Sequence, residues 1–372
     1  MKKEFAMSDA KFVQAKDELA YQEVLDEIPA AKQVTVVTYN ISERQSNLLN
    51  ALIAASEHAQ VTLITNIPSR WEQYYGDCFR ESARRKINVY LSNLSPESNG
   101  KMFSTYFDFS NHGKIVMTDS VVYVGSANFS EESARNNEFG VISRDAEFIA
   151  FLSENIIPAI IDDSEPFCSY NYMPVYAEAE MALSAFFHYT EEFHYQAYLN
   201  HDDIDGNWDI YNIFNDEMSV ETCNAFLHVL THLMELQNTI VEALYDTLGE
   251  DVELPDVLSV LLGELKQLNK SIQEELESDE IHELANFFSN QYINQALQED
   301  YAMEAYEENL ENCIEKAGED AAVQLIELAN DAEDSVEYIT VNAPVYLKKY
   351  KELLDYFGQY KLTKINPSID NT

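Results

Sequence analysis

NHGKIVMTDSVVYVGSANFSEESARNNEFG, residues 111–140, holds the densest chemistry in the chain. KIVMTDS and VVYVGSAN are β-rich runs meeting at a short polar interval, the pattern of a β-hairpin. Along it stand His112, Lys114, Asp119, Gly125, Ser126, Asn128 and, after a break, Glu138. If the hairpin forms, alternate residues share a face, so His112 and Lys114 point the same way and can hold one phosphate together.

Upstream, VTVVTYNI (34–41) reads as a strand, and SERQSNLLNALIAASEHA (42–59) as a helix opened by the Ser42-x-x-Gln45 signal. VTLITNIP (61–68) is the next strand, a β-α-β order that implies parallel pairing. Residues 10–30 read as an amphipathic helix, 69–86 as a polar helix, INVYLSN (87–93) as a third strand and 94–111 as a loop. NEFGVIS (137–143) and a helix over 147–160 complete an α/β unit with a mixed sheet flanked by helices. Past residue 174 the pattern turns helical: Leu258, Leu261, Leu265, Leu268 and Ile272 repeat at helix spacing, so 175–372 reads as an all-α bundle.

The expected division is 1–170 as a catalytic domain and 171–372 as an acidic helical domain with a regulatory or partner-binding role. Charge separates the same two parts: of a formal net charge of −43, residues 1–170 carry −9 and residues 171–372 carry −34. All seven arginines precede residue 145. A surface at −34 repels phosphodiester backbones, because nucleic-acid affinity comes largely from lysine and arginine displacing counterions. A hydrophobic content of 46% nevertheless argues for folded domains under an acidic skin. Cys78, Cys168, Cys223 and Cys313 match no disulfide or metal pattern, and no apolar run follows Lys2 and Lys3, so a reduced, cytoplasmic setting without a secretory signal or membrane insertion is expected.

The chemistry of 111–140 is that of phosphoryl transfer. Imidazole is a competent nucleophile toward phosphorus, and a covalent phosphohistidine splits one displacement into two. Lys114, Asn128 and the Ser126 hydroxyl would supply charge and donors to the phosphoryl oxygens. Over residues 30–160 the sequence resembles the phospholipase D superfamily, whose signature is His-x-Lys, an Asp, Gly-Ser-x-Asn and a later Glu. The resemblance implies a metal-independent phosphodiesterase needing no cofactor, with two such motifs forming one site. It makes His112 the nucleophile or leaving-group acid, Lys114, Ser126 and Asn128 phosphate ligands, and Glu138 a support for histidine. The interval from Asp119 to Gly125 is one residue shorter than the usual family spacing, so Asp119, like Gly125, is assigned a structural, supporting role. No other histidine stands in His-x-Lys context, which implies a homodimer with the two copies of His112 facing each other.

Arg80, Arg84, Arg85 and Lys86 form the densest basic cluster. The three arginines are candidate substrate contacts, with Phe107 from an aromatic loop (98–111) that would cover a site, stacking on bases or meeting lipid. His228 and His232 have i, i+4 spacing but lack the glutamate and third ligand of a zinc site, and His188, His194 and His201 lie in an aromatic packing seam. The expected function is a nuclease on DNA or RNA, by fold-level analogy in a bacterial antiviral defence setting. The alternatives are a phospholipase or phosphatidyl transferase, or an interaction protein whose acidic helices mimic nucleic acid or dock a protein partner such as an ATPase.

Overall fold

A computed structural model describes residues 9–42, 46–68, 76–95, 99, 102–167, 173–197, 218–248, 255–299 and 309–365. The chain divides into two compact units, Met1–Arg70 with Cys78–Met181 and Trp71–Asp77 with Ala182–Thr372.

The first unit contains β1 (Ala10–Ala15), α1 (Gln22–Glu27), β2 (Gln33–Thr38), α2 (Asn47–Ala55), β3 (Gln60–Thr65), α3 (Asp77–Asn93), β4 (Phe103–Phe107), β5 (Ile115–Thr118), β6 (Val122–Gly125), β7 (Glu138–Ser143), α4 (Ala146–Phe151), α5 (Ile157–Asp162) and β8 (Glu165–Pro166). Its eight strands form one mixed sheet in the order β1-β7-β6-β5-β2-β3-β4-β8. β2, β3 and β4 run parallel, while the remaining pairs are antiparallel. The central strands are apolar on both faces, as a sheet covered on two sides requires. One face buries Val37, Ile64, Ile115, Met117 and Val122 against Ile149, Leu152 and Ile157 of the segment through α4 and α5. On the same strands Val34, Val36, Leu63, Val116 and Tyr123 are also buried.

Three local readings of the sequence are corrected. Residues 10–15 are an edge strand, β1, pairing antiparallel with β7, and only Gln22–Glu27 of the expected helix is helical. Residues 87–93 continue α3, because Ala83, Ile87 and Tyr90 recur at three- and four-residue spacing and are all buried, which a strand could not achieve. The third parallel strand is instead β4, inside the segment read as a loop, where Phe103, Thr105 and Phe107 alternate inward. The cap of α2 is Ser46, whose hydroxyl accepts from the Leu49 amide, while the Ser42 hydroxyl donates to Glu132.

The second unit is helical: the later turns of α6 (Met173–Ala197), then α7 (Val220–Leu248), α8 (Asp256–Leu276), α9 (Asp279–Ala285), α10 (Ser289–Glu299), α11 (Leu310–Asp331) and α12 (Glu333–Ile365). Its centre is aromatic, with the Phe186 ring tilted against both Phe226 and Tyr346 at centroid distances of 5.2 Å. The amide nitrogen of buried Asn269 donates to the Leu230 carbonyl at 2.8 Å and to the Tyr346 hydroxyl at 3.0 Å, while its Oδ1 is buried without a donor. His232 is fully buried and His228 exposed. His201 and Cys168 lie outside the described residues. No described helix is long and apolar enough to cross a membrane.

Two glycines are fixed by one tyrosine. A Cβ at Gly140 would stand 2.7 Å from Cζ of Tyr123, and one at Gly125 would overlap the Tyr123 hydroxyl and the Phe139 carbonyl. Gly140→Ala is expected to lose about 2 kcal/mol of unfolding free energy, most of it recovered in the Tyr123→Ala background. Gly125→Ala recovers less there, because the backbone carbonyl remains. Denaturant melts of the singles and doubles check this.

Candidate active site

His112 is held by the residue before it. The Asn111 side chain accepts from the Gly113 amide at 2.8 Å and donates to the Thr38 carbonyl at 2.9 Å, tying residues 111–113 to the end of β2. Asn66, beyond β3, donates to the carbonyls of Phe109 at 2.9 Å and Asn111 at 3.4 Å. The loop entering β5 is thus pinned to two parallel strands at their C-terminal ends, where open α/β sheets place ligands.

Within this frame His112 is exposed and Lys114 buried. The Lys114 ammonium lies 3.1 Å from Nδ1 of His112 and also donates to the His112 carbonyl. The Tyr39 ring packs against the imidazole with centroids 4.8 Å apart, and Nζ of Lys114 stands 5.3 Å from that ring's centroid. Burial lowers the pKa of Lys114 below the ordinary lysine value, and the Glu138 carboxylate opposes the shift.

The Gly-Ser-x-Asn segment is built from the other side. The Tyr123 hydroxyl donates to the Phe139 carbonyl at 3.1 Å and accepts from the Ala127 amide at 3.1 Å, fitting the space left by Gly125. Ser126 donates to Glu138 through its hydroxyl, and that hydroxyl accepts from the Phe139 amide at 3.0 Å. Buried Glu138 also accepts from Asn136 at 3.3 Å. The Phe129 amide donates to the Thr38 hydroxyl at 2.8 Å, and the Tyr21 hydroxyl to the Asn128 carbonyl at 3.1 Å. Asn128 Oδ1 is buried and finds no donor.

The structure therefore brings His112 to Lys114 and Ser126 to Glu138, with Glu138 near enough to Lys114 to act on its charge. Asp119 lies at the far end of β5 and accepts from the amides of Lys32 at 2.9 Å and Gln33 at 3.3 Å. Those hydrogen bonds lower its pKa, the Lys32 amide foremost. Two expected substrate contacts are corrected. Phe107 is fully buried between Phe109 and Phe167, and Arg84 is forked onto Glu178 at 2.8 and 3.0 Å. Arg80 is half-buried and Arg85 exposed on the same helix. Sequence reading missed Thr38, Tyr39, Asn66, Asn111 and Tyr123. Of these only Asn111 left a local signal, an Asn two residues before a Gly, which favours a side-chain-closed turn.

Residues 24–157 match the family model described as cardiolipin synthase, PLD-like domain. The match spans about a third of the chain, so what is similar to a PLD-like domain is the first unit, with its mixed sheet. A search of curated proteins finds no match. Among solved structures, the chain is similar to Nuc from Salmonella typhimurium, titled a phospholipase D family member, at 18% identity, covering 43% of this chain and 98% of that one with a TM-score of 0.30. NucT from Helicobacter pylori is similar at 17% identity, covering 43% and 100% with a TM-score of 0.30. Phosphatidylserine synthase from Haemophilus influenzae is similar at 11% identity, covering 42% and 40% with a TM-score of 0.33.

Two outcomes are expected from this geometry. Asn111→Ala should cost about 1–3 kcal/mol, because the Gly113 amide and Thr38 carbonyl lose their partner, read as a fall in denaturation midpoint. Because burial lowers the Lys114 pKa, its ammonium is lost at lower pH than in an exposed lysine, so turnover should fall earlier on the alkaline side. Lys114→Arg, whose guanidinium stays charged, should abolish that alkaline limb in a kcat/KM profile even if it lowers the plateau.

Proposed function

We propose that the protein is a metal-independent phosphodiesterase that cleaves nucleic acid through a phosphohistidine on His112. The observation that carries this reading is an exposed imidazole whose Nδ1 lies 3.1 Å from a buried ammonium, in one site with Ser126, Asn128 and Glu138. Lys114, Ser126 and Asn128 bind the phosphoryl oxygens, and Glu138 orients the Ser126 hydroxyl.

With the Lys114 ammonium donating to Nδ1, a neutral His112 ring keeps its proton on Nε2; a leaving-group acid has to be the imidazolium, so in the copy that protonates the departing oxygen Nδ1 also carries a proton and Lys114 turns from it onto the phosphate. Attack through Nε2 needs the other tautomer, so in the attacking copy Lys114 turns onto the phosphate. Nε2 then bonds to phosphorus as the ester P–O bond breaks, and the departing oxygen takes a proton from His112 of the second copy. That imidazole next deprotonates water, which displaces the first histidine and breaks the P–N bond. The chain works as a homodimer because each copy supplies one His-x-Lys motif, and its acidic helical unit, residues 171–372, binds a protein partner or restrains the site. A defence role against phage is one setting in which such a pairing serves.

The nucleic-acid reading is favoured over phospholipid because the segment expected to form an aromatic interfacial loop is β4, with Phe103 and Phe107 buried in the sheet. Purified chain and His112→Ala are to be compared in EDTA on single- and double-stranded DNA, RNA and phosphatidylcholine vesicles. Expected is nucleic-acid cleavage that persists in EDTA and falls at least about a thousandfold in His112→Ala. Cleavage that survives the substitution removes His112 from the mechanism, and turnover of vesicles alone replaces nuclease by phospholipase.

A further inference from the structure

At the C-terminal edge of the parallel strands the first unit opens into a cavity of about 460 Å³. Its walls carry Asn40 after β2, Pro68 after β3, Lys86 from α3, and Glu132 and Arg135 from the short 3-10 turn after the Gly-Ser-x-Asn segment. Two backbone connections join it to the site. Asn40 follows Tyr39, whose ring packs on His112, and Ile41, also lining the cavity, is bridged to Phe129, the residue after Asn128.

The lining has a specific chemistry. Lys86 is steadied on the wall by donating to the Pro68 carbonyl at 3.0 Å, and Arg135 is exposed on the turn across from it. Lys86 and Arg135 put two cations on a wall where Glu132, which interacts with Arg135, supplies one anion, so the lining has a net positive side that suits an anionic group. Asn40 Oδ1, by contrast, is a buried acceptor with no donor, which is costly until an N–H or O–H fills it. Glu132, held by the Ser42 hydroxyl at 2.9 Å, adds a second acceptor to the wall. A ligand must therefore bring both negative charge and donors. A nucleotide does, through its phosphate together with base amino groups or sugar hydroxyls, whereas acyl chains would meet a polar wall. The volume falls in the range of cavities that hold one small-molecule unit.

We propose, building on the phosphodiesterase reading, that this cavity is the subsite for the nucleotide flanking the scissile phosphate. Lys86 and Arg135 hold its phosphate and Asn40 accepts from its base or sugar. The cationic contact that the sequence suggested for Arg80, Arg84 and Arg85 passes to Lys86, their neighbour on α3, and to Arg135.

The test is fluorescence anisotropy of a labelled single-stranded oligonucleotide of about 12 residues, long enough to fill an extended site, with the full chain in EDTA and on the His112→Ala background. Lys86→Gln/Arg135→Gln should bind about tenfold more weakly, with the slope of log K against log salt reduced by about 1.4, the value for two single-strand phosphate contacts. Lys266→Gln/Lys270→Gln, which removes the same charge from the helical unit, should bind as the parent. Lys86→Arg/Arg135→Lys should bind near the parent, so a failure of the glutamine pair to fold does not obscure the result. Asn40→Ala should weaken binding without altering the salt slope. Unchanged binding in the glutamine pair, or an equal loss in the Lys266/Lys270 control, overturns the proposal. So does binding to anionic phospholipid vesicles in place of the oligonucleotide. Hydrolysis of bis(p-nitrophenyl) phosphate by the unmutated chain, lost in His112→Ala, reads the phosphodiesterase assignment separately, so either inference can fail with the other intact.

Discussion

Thr38 is the residue on which the site's geometry rests. It ends β2, is fully buried, and holds both halves of the catalytic segment: its carbonyl accepts from Asn111 and its hydroxyl from the Phe129 amide. The same hydroxyl donates to the Asn40 carbonyl at 2.8 Å, which steers the chain out of β2 beneath Tyr39. One side chain and one carbonyl thereby fix the loop that carries His112, the turn that carries Asn128 and the wall residue Asn40. Each bond is modest alone, about 1 kcal/mol net, but each buried partner is costly to strand. The geometry is consequently set by the end of a parallel strand and imported into a hairpin that could not impose it.

Burial then divides the labour inside the site. His112 is exposed while Lys114 and Glu138 are buried, so the imidazole is open to solvent while the charges beside it stay in low dielectric. Desolvation destabilises the Lys114 ammonium, and Glu138 restores part of what it loses. In the proposed reaction an incoming phosphate would add a second anion beside that ammonium, and the interaction would strengthen as negative charge develops on the phosphoryl oxygens. Asn128 Oδ1 is buried in the same segment without a donor among the described residues.

The sequence was legible where chemistry and period agreed. β5, β6 and β7 follow from alternating β-branched runs, and His112, Lys114, Ser126 and Glu138 come from spacing within one segment. It was misleading where a short apolar pattern fits two periods. INVYLSN has the composition of a strand, but Ile87 lies four residues after Ala83 and Tyr90 three after Ile87, all on one helix face, and helix spacing decides. FSTYF was hidden by neighbouring polar residues, and Phe107 looked like part of a lid because its partners, Phe109 and Phe167, lie outside the strand. Thr38, Tyr39 and Asn66 could not be found locally at all, since their partners are 43 to 91 residues away in the chain.

Charge poses the remaining problem of how so acidic a chain would approach a polyanion. A net −43 repels nucleic acid at long range, yet that field is screened over roughly 8 Å at physiological salt. Contact energies within that distance are set by the few groups facing the substrate. In the proposed site those would include Lys114, Lys86 and Arg135 of the first unit, while −34 of the charge belongs to residues 171–372. The acidic helices would then act on encounter and the local cations on binding, two terms that respond to ionic strength in opposite directions. Raising salt weakens the phosphate contacts and also relieves the repulsion. An optimum at intermediate salt is the physical signature of such a division, and partner docking on the acidic helices would move it by cancelling the repulsive term alone.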